Sequence, residues 1–238
     1  MYKKEVINSQ SGLKIISKNN KEMTTKAKYG PSKITRIPFY INEELAFFVG
    51  AIIGDGHLKR SKFQITFEVS NKRLINYMRC ICKKIFKRKF NIISVKIRKG
   101  KIPTFNMLID SKSIYSLLKE VFEIPPGKKS YIVKVPKHII KGEKEIKIAF
   151  LQGIMATEGG KRRRGFGLST ASEKMWKGLE IIFKDVGIPI STDSWVHKKY
   201  KKEYYGISFK EEYMSLLNAG VPERSNGLRL GRSSLVLA

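Results

Sequence analysis

The period with which hydrophobic and polar positions recur changes several times along the chain, and the same order of periods occurs twice. Each copy begins with an apolar segment of helical period that ends in an acidic residue and glycine, at Asp55 and Glu158. A basic stretch follows, then a segment that alternates with period two, and then Ser-x-Lys before an amphipathic helix. Period two is typical of a strand with one buried face, and a period near 3.6 of a helix. The chain therefore contains a duplication.

The segment KFQITFEV (62–69) is the clearest predicted strand, because apolar and polar side chains alternate throughout it. Two further segments, 91–111 and 190–209, are predicted to be hairpins, and 113–122 and 211–220 to be closing helices. Each half then has the order αββαββα. The predicted fold class is α+β, with two pseudo-symmetric αββαββα subdomains.

The two opening helices carry small residues at every fourth position, and the two sets correspond at one constant offset: Ala46, Gly50 and Gly54 in the first, and Ala149, Gly153 and Thr157 in the second. Four-residue spacing puts each set on one helical face. Glycine inside a helix costs about 0.5–1 kcal/mol relative to alanine, and a close helix–helix contact would compensate for this. We therefore predict that the two helices pack on each other.

Proline and glycine recur between Val121 and Lys147, which favours a connection over a helix or central strand. Residues 1–38 carry nine Lys or Arg against Glu5 and Glu22 and show no sustained periodicity, which indicates a basic arm. Two alternatives stay open: the arm becomes ordered on binding, or it is a disordered tail. The predicted division is as follows: 1–40 basic arm, 41–122 first subdomain, 123–145 linker, 146–218 second subdomain, 219–238 irregular tail.

The net charge of +28, from 48 Lys and Arg against 20 Asp and Glu, favours a polyanionic partner. Nucleic acid is the first candidate; an anionic membrane surface would need an amphipathic anchor helix, which the sequence lacks. The cysteines, Cys80 and Cys82, supply neither four-ligand zinc spacing nor a disulfide framework. Without a signal-peptide core or a spanning segment, we expect an intracellular, soluble protein, in cytoplasm, nucleoid or organellar matrix.

The segments FVGAIIGDG (Phe48 to Gly56) and LQGIMATEG (Leu151 to Gly159) resemble the paired motifs of LAGLIDADG homing endonucleases in their single-chain, two-motif form. With the repeated αββαββα order, the resemblance covers about residues 43–218. It implies motif helices packed on a pseudo-twofold axis, two sheets that form a DNA-binding saddle, and one acid from each motif at the scissile phosphates. The implied cofactor is Mg²⁺, with Mn²⁺ as substitute.

The chemistry of the residues agrees with this resemblance. Phosphodiester hydrolysis needs an activated water and charge neutralisation, which divalent ions held by hard oxygen ligands supply. Asp55 and Glu158 are the expected metal ligands and catalytic residues. Lys161, three positions after Glu158, is the expected third catalytic residue, with a plain phosphate contact as the alternative.

The polar face of the predicted strand and the basic clusters of the hairpins are expected to bind DNA. The candidates are Lys62, Gln64, Thr66, Glu68, Lys96, Arg98, Lys99, Lys101, Arg162, Arg163, Arg164, His197, Lys199 and Lys201. Since the halves differ in detail, we expect an asymmetric target and a monomer. The resemblance implies a long target site and a staggered double-strand cut, as in intron homing. The alternative is a non-cleaving binder on the same scaffold, an intron RNA maturase or a transcription regulator, with intron RNA as a further partner.

Overall fold

Each half of the chain folds as helix, two strands, helix, two strands and a terminal helix, which confirms the predicted order. A computed structural model describes residues 1–2, 12–30, 32–96, 103–162, 165–198 and 201–218, with the backbone alone for 94–96. The helices are α1 (Glu43–Asp55), α2 (Lys72–Phe86), α3 (Lys112–Ser116) continued by a π-helical turn (Leu117–Val121), α4 (Lys137–Ile140), α5 (Lys144–Glu158), α6 (Glu173–Val186) and α7 (Met214–Asn218).

The strands form one three-stranded and two four-stranded antiparallel sheets within the described residues. They are β1 (Leu13–Lys18), β2 (Glu22–Ala27), β3 (Thr35–Pro38), β4 (Gly56–Leu58), β5 (Gln64–Val69), β6 (Ile92–Lys96), β7 (Thr104–Asp110), β8 (Gly160–Arg162), β9 (Gly165–Thr170), β10 (Ser191–His197) and β11 (Lys202–Phe209). The four-stranded sheets have the orders β4-β5-β7-β6 and β10-β11-β9-β8.

The alternation along each strand assigns its two faces. In β5, Ile65 and Phe67 are buried toward α2, whereas Thr66 points to the other side of the sheet. In the second half, Phe166 and Ile207 are buried toward α6 in the same way. We call the face of each four-stranded sheet opposite its packed helix the open face.

Helix α1 begins and ends where local chemistry dictates. The side chain of Asn42 accepts a hydrogen bond from Leu45 N at 3.0 Å, and Glu43 and Glu44 in the first turn complement the helix dipole. The helix ends because Gly56 adopts an extended conformation and starts β4. Every residue of α1 from Leu45 to Ile53 is buried, so the middle of this helix lies in the hydrophobic core.

The stripes of small residues bring the backbones of α1 and α5 into contact. A side chain at Gly50 would meet Ile154 N at 3.1 Å, and one at Gly153 would overlap Phe47 O. Further along, a side chain at Gly54 would overlap Thr157. Because these contacts advance in the same direction along both helices, the pair is parallel, and both helices deliver their last residues to the same end.

The N-terminal segment departs from the prediction of a basic arm without regular structure. Residues of this segment form the sheet β1-β2-β3, whose inner face buries Met23 and Ile37 in the core. The sequence did not indicate these strands because β1 is exposed at every position after Leu13, and because the polar residue Thr25 takes a buried position of β2. The predicted tail, 219–238, lies outside the described residues.

The connection between the halves is also more structured than the sequence indicated. It contains the short helix α4, which starts after Pro136, and α5 begins at Lys144 rather than 146. Val133 and Val135 are buried, and Val135 lies against Gly178 of α6. The connection is therefore packed against the second half over part of its length.

Within the described ranges, the helices are too short or too polar to cross a bilayer.

Replacing Gly153 with alanine tests the helix contact. The added methyl group would overlap the backbone of α1, and overpacking of this kind costs about 1–3 kcal/mol, partly offset by the higher helix propensity of alanine. We expect Gly153→Ala to lower the free energy of unfolding in urea by about 2 kcal/mol. Gly160→Ala is the matched control, since open space surrounds that position; equal effects of the two substitutions would contradict the contact.

Candidate active site and nucleic-acid interface

The two motif acids emerge together from the parallel helix pair. Asp55 is the last residue of α1 and Glu158 the last residue of α5. A Cβ atom built on Gly54 would lie 3.3 Å from Glu158 Cγ, so the glutamate side chain passes beside the residue that precedes Asp55. The shared end of the helix pair is therefore an acidic centre to which each half contributes one carboxylate.

Lys129 from the connection between the halves reaches the same centre. Its Nζ donates to Ile52 O at 2.6 Å and also to Gly56 O, so the ammonium group binds backbone carbonyls at the C-terminal end of α1. Burial lowers the pKa of Lys129 to about 8, while the charges of Glu158 and Asp55 oppose this shift. One buried cation therefore interacts with both acids.

A cavity of about 220 Å³ opens beside this centre on the side of the second half. Lys129 and Glu158 contribute to its wall, together with Ser169 and Thr170 at the end of β9 and Tyr204 of β11. The acidic centre is therefore accessible to a small group from the side of the second sheet.

The donor set of this centre fits a hard divalent cation shared with a ligand. Among the described residues, no cluster of three or more His, Cys, Asp or Glu side chains could hold a metal ion by itself. Asp55 and Glu158 supply two carboxylates, and Mg²⁺ usually takes one or two carboxylates with water and substrate phosphates completing its shell. The residues thus fit a cation whose remaining ligands come from solvent and a phosphate group.

The open face of the first half is polar and internally hydrogen-bonded. Gln64, Thr66 and Glu68 share this face, as predicted. Lys59 Nζ donates to Gln64 Oε1 at 3.2 Å, and Thr104 Oγ1 donates to Glu68 Oε1 at 2.9 Å. These bonds hold the side chains in defined positions, a condition for reading base edges. Lys62 lies in the bend before β5 and is exposed.

The open face of the second half carries aromatic side chains instead. Trp195 of β10 pairs across the strands with Tyr204, and their rings stack at 6.0 Å. The ring of His197 lies 5.5 Å from that of Tyr204, and the Arg162 guanidinium is 5.8 Å from the Trp195 ring. Lys202 lies over Tyr131 at 4.3 Å. The two halves therefore present different chemistry.

The remaining predicted site residues lie on different faces and strands, and some lie outside the described residues. Lys161 is exposed in β8 and pairs with Phe166, so it lies on the face opposite that of Arg162, which pairs with Gly165. Lys201 is exposed and precedes β11 with a positive φ of 48°. Lys96 ends β6, where only the backbone is described. Six predicted contacts lie outside the described residues: Arg98, Lys99, Lys101, Arg163, Arg164 and Lys199.

Sequence reasoning missed Lys129 and the stacked pair Trp195 and Tyr204. Lys129 follows Pro-Pro-Gly-Lys in an aperiodic segment, and only the approach of this segment to α1 buries its ammonium group. The aromatic pair lies in a predicted hairpin, and the alternation of large aromatic side chains with polar ones could have indicated a shared face.

The curated relatives of this chain carry unrelated names. The replication factor C small subunit of Methanocaldococcus jannaschii is 31% identical over 166 residues, 70% of this chain and 9% of the relative. The DNA polymerase of the same organism is 26% identical over 164 residues, 68% of this chain and 9% of the relative. The chain thus spans 9–15% of the length of the relatives it matches. No family model matches the chain.

The solved structures that share this fold include a homing endonuclease. I-DmoI in complex with its target DNA and in the presence of Mn has a TM-score of 0.53 and 14% identity, over 75% of this chain and 96% of that one. Full-length DUF199/WhiA from Thermatoga maritima has a TM-score of 0.50 and 12% identity, over 79% of this chain and 58% of that one. At these identities the likeness establishes the α+β fold alone.

The pH dependence of stability tests the burial of Lys129. Its pKa is lowered from 10.5 to about 8 in the folded chain. Between these values the unfolded chain keeps a proton that the folded chain has lost, so the free energy of unfolding rises with pH, by at most about 1.4 kcal/mol per pH unit. Methionine cannot titrate, and we expect the wild-type value minus that of Lys129→Met to rise through this window and to be flat below pH 7.

Urea denaturation at a series of pH values measures this difference. Lys128→Met, which removes the charge of the exposed neighbouring side chain, is the matched control. A difference between wild type and Lys129→Met that stays flat from pH 8 to 10.5 would show that the ammonium group is not buried.

Proposed function

We propose that this chain is a LAGLIDADG-type, site-specific DNA endonuclease that cuts both strands of a long, asymmetric target with the help of a divalent metal. The observation that carries the proposal is the convergence of Asp55, Glu158 and Lys129 at one end of the parallel helix pair. Two carboxylates facing a polyanion would weaken binding unless a cation joined them there. An acidic centre of this kind therefore favours catalysis over binding alone.

Asp55 and Glu158 would hold Mg²⁺ or Mn²⁺ between the halves. When bound, the metal would polarise the phosphate and lower the pKa of a water ligand. Through such a cation, Asp55 and Glu158 would orient the phosphate at the shared end of the helix pair. Because each half contributes one acid, the same arrangement is available to both strands of a duplex.

Lys129 has the charge and position to stabilise the anionic phosphate during hydrolysis. Its ammonium group is anchored by Ile52 O and Gly56 O, which fixes its direction without neutralising it. A pKa near 8 also suits proton donation to a leaving oxygen at neutral pH. Lys161, on the strand that follows Glu158, stays a second candidate for the cationic role.

The open faces provide two different DNA-reading surfaces. Hydrogen-bonding side chains of the first half suit base edges in the major groove, whereas the aromatic side chains of the second half suit apolar contacts such as thymine methyl groups. Differences of this kind support an asymmetric target and a protein that acts as a monomer. Basic residues such as Arg162 and Lys202 would bind the phosphates on either side.

The matches to these relatives support an activity that is carried by the matching segment itself and not by the whole proteins. They are named as a replication factor, an ATP synthase component, an initiation factor and a DNA polymerase, and only a small part of each matches this chain. A function shared by these whole proteins cannot explain the likeness, because the names describe different activities. A mobile element that inserts into unrelated genes would explain it, and a homing endonuclease supplies the cut that such insertion requires.

Neutralising the motif acids tests cleavage separately from binding. With a target selected from a randomised library in the presence of Mg²⁺, we expect Asp55→Asn and Glu158→Gln each to reduce cleavage by at least about a hundredfold, as expected for loss of a metal ligand that stabilises the transition state. Binding of the same DNA, measured in Ca²⁺, should change little. Glu180→Gln on α6, away from the acidic centre and half-buried, controls for loss of one negative charge.

Two outcomes of that experiment would contradict the proposal. If the wild-type chain binds duplex DNA but cuts none of the library with Mg²⁺ or Mn²⁺, the non-cleaving binder is the better description. If cleavage survives neutralisation of both acids, the acidic centre is not the active site.

The aromatic surface generates a separate prediction for binding. Removing an interface aromatic side chain costs about 1–2 kcal/mol, so Trp195→Ala should weaken duplex binding roughly tenfold. Val196→Ala is the matched control, because the neighbouring side chain points to the opposite face of β10 and is exposed. Fluorescence anisotropy with labelled duplex measures both; equal affinities of the two variants would exclude this face from the interface.

A further inference from the structure

The sheet β1-β2-β3 carries a concentration of positive charge that the acidic centre does not use. Between residues 12 and 38 the sequence contains seven Lys or Arg, and Glu22 is the single acidic residue. That glutamate is already paired with Arg36, at 2.7 Å. The lysines of this sheet are therefore not neutralised by acids of their own segment.

The strand register concentrates these lysines on the outer face of the sheet. Lys14 of β1 pairs directly with Lys26 of β2. Lys28, whose backbone N donates to Gly12 O, continues the same face two residues further on. Like charges directly opposite each other on a sheet are destabilising. We call this face the lysine face (Lys14, Lys26 and Lys28). Repulsion between its charges opposes folding, and a bound anion would reduce that repulsion.

The inner face fixes the sheet in place. Thr25 Oγ1 donates to Ser113 Oγ at 2.8 Å, and the hydroxyl groups of Thr35 and Ser111 lie 3.3 Å apart. Both serines belong to the start of α3, where Ser111 caps the helix. Hydrogen bonds between buried groups, together with the packing of Met23 in the core, hold the lysine face in one orientation relative to the first half.

The sheet and the bend before β5 contact the same end of α3. Lys112, which precedes Ser113, places its Nζ over the ring of Phe63 at 4.4 Å, and Phe63 belongs to the bend before β5. The same bend contains Lys62, a predicted DNA contact. The sheet that carries the lysine face is therefore connected, through the start of α3, to the bend that precedes the first open face.

We propose that the lysine face binds the phosphate backbone of duplex DNA that extends beyond the segment held by the open faces. This inference rests on the proposed function, because it assigns a second contact to the same duplex. Two lysines on neighbouring strands, about 4.7–4.9 Å apart, can each contact a phosphate of one DNA backbone, which carries one charge about every 3.4 Å of helix axis. The competing explanation is that lysines on the edge strand β1 only prevent pairing with other chains.

Random-sequence duplexes of two lengths, 20 and 40 base pairs, separate these explanations. Only the longer duplex should reach the lysine face. For Lys14→Gln/Lys26→Gln we expect the slope of log affinity against log salt on the longer duplex to fall in magnitude by about 1.8, which corresponds to two lost phosphate contacts. Binding of the shorter duplex should be unchanged. Lys174→Gln/Lys184→Gln on α6 removes the same charge from the covering helix of the second half and is the control.

Thermal unfolding of the same variants completes the test. Because the substitutions remove a like-charge pair, the melting temperature of Lys14→Gln/Lys26→Gln should stay the same or rise. A lower melting temperature, an equal loss on both duplexes, or no loss on the longer duplex would each overturn the inference. If the wild-type chain fails to bind either duplex, the proposed function fails with it; if only the length-dependent loss is missing, the proposed function stands.

Discussion

The contact between the backbones of α1 and α5 is the constraint on which the rest of the structure depends. Gly50 and Gly153 leave no room for side chains, so the helices approach as closely as their main chains permit. Because the pair is parallel, this single contact fixes the separation of the two helix ends and therefore of Asp55 and Glu158. It also fixes the relation between the two sheets, since each sheet follows directly from the helix of its own half.

A buried lysine completes the centre that this contact creates. Carboxylates that emerge side by side repel each other, and the positive charge of Lys129 lowers that cost. Its own burial is unfavourable, as the lowered pKa shows, and is compensated by the carbonyls at the end of α1. Anchoring the ammonium group to the helix end keeps it beside the acids while leaving them available to a cation.

The duplication fixes the architecture, and the differences between its copies give the two open faces different side-chain chemistry. Gln64 and Glu68 in one half are held by polar neighbours, while Trp195 and Tyr204 in the other half stack on each other. The additional sheet β1-β2-β3 belongs to the first half alone and adds positive charge at its outer edge. A pseudo-symmetric scaffold thereby acquires an asymmetric surface.

The sequence could predict elements whose pattern depends on local burial. The strand 64–69 was predictable because one of its faces is buried and its period is unbroken. The helices ending at Asp55 and Glu158 were predictable because each is a long apolar segment that stops at an acidic residue and glycine. The strand β1 was not, since it is exposed after Leu13, and neither was the position of Lys129, which depends on a tertiary approach across 77 residues to Ile52. The two acids at the helix ends could therefore be identified from the sequence, whereas the position of Lys129 beside them could not.

A double-mutant cycle in EDTA tests the central claim, that the two halves hold their acids close together, most directly. The free energy of unfolding is measured for wild type, Asp55→Asn, Glu158→Gln and the double variant. Interacting residues show coupling energies of about 0.5–3 kcal/mol, and the repulsion that we infer predicts that the double variant gains less stability than the sum of the single changes. Strict additivity of the two changes would contradict the account.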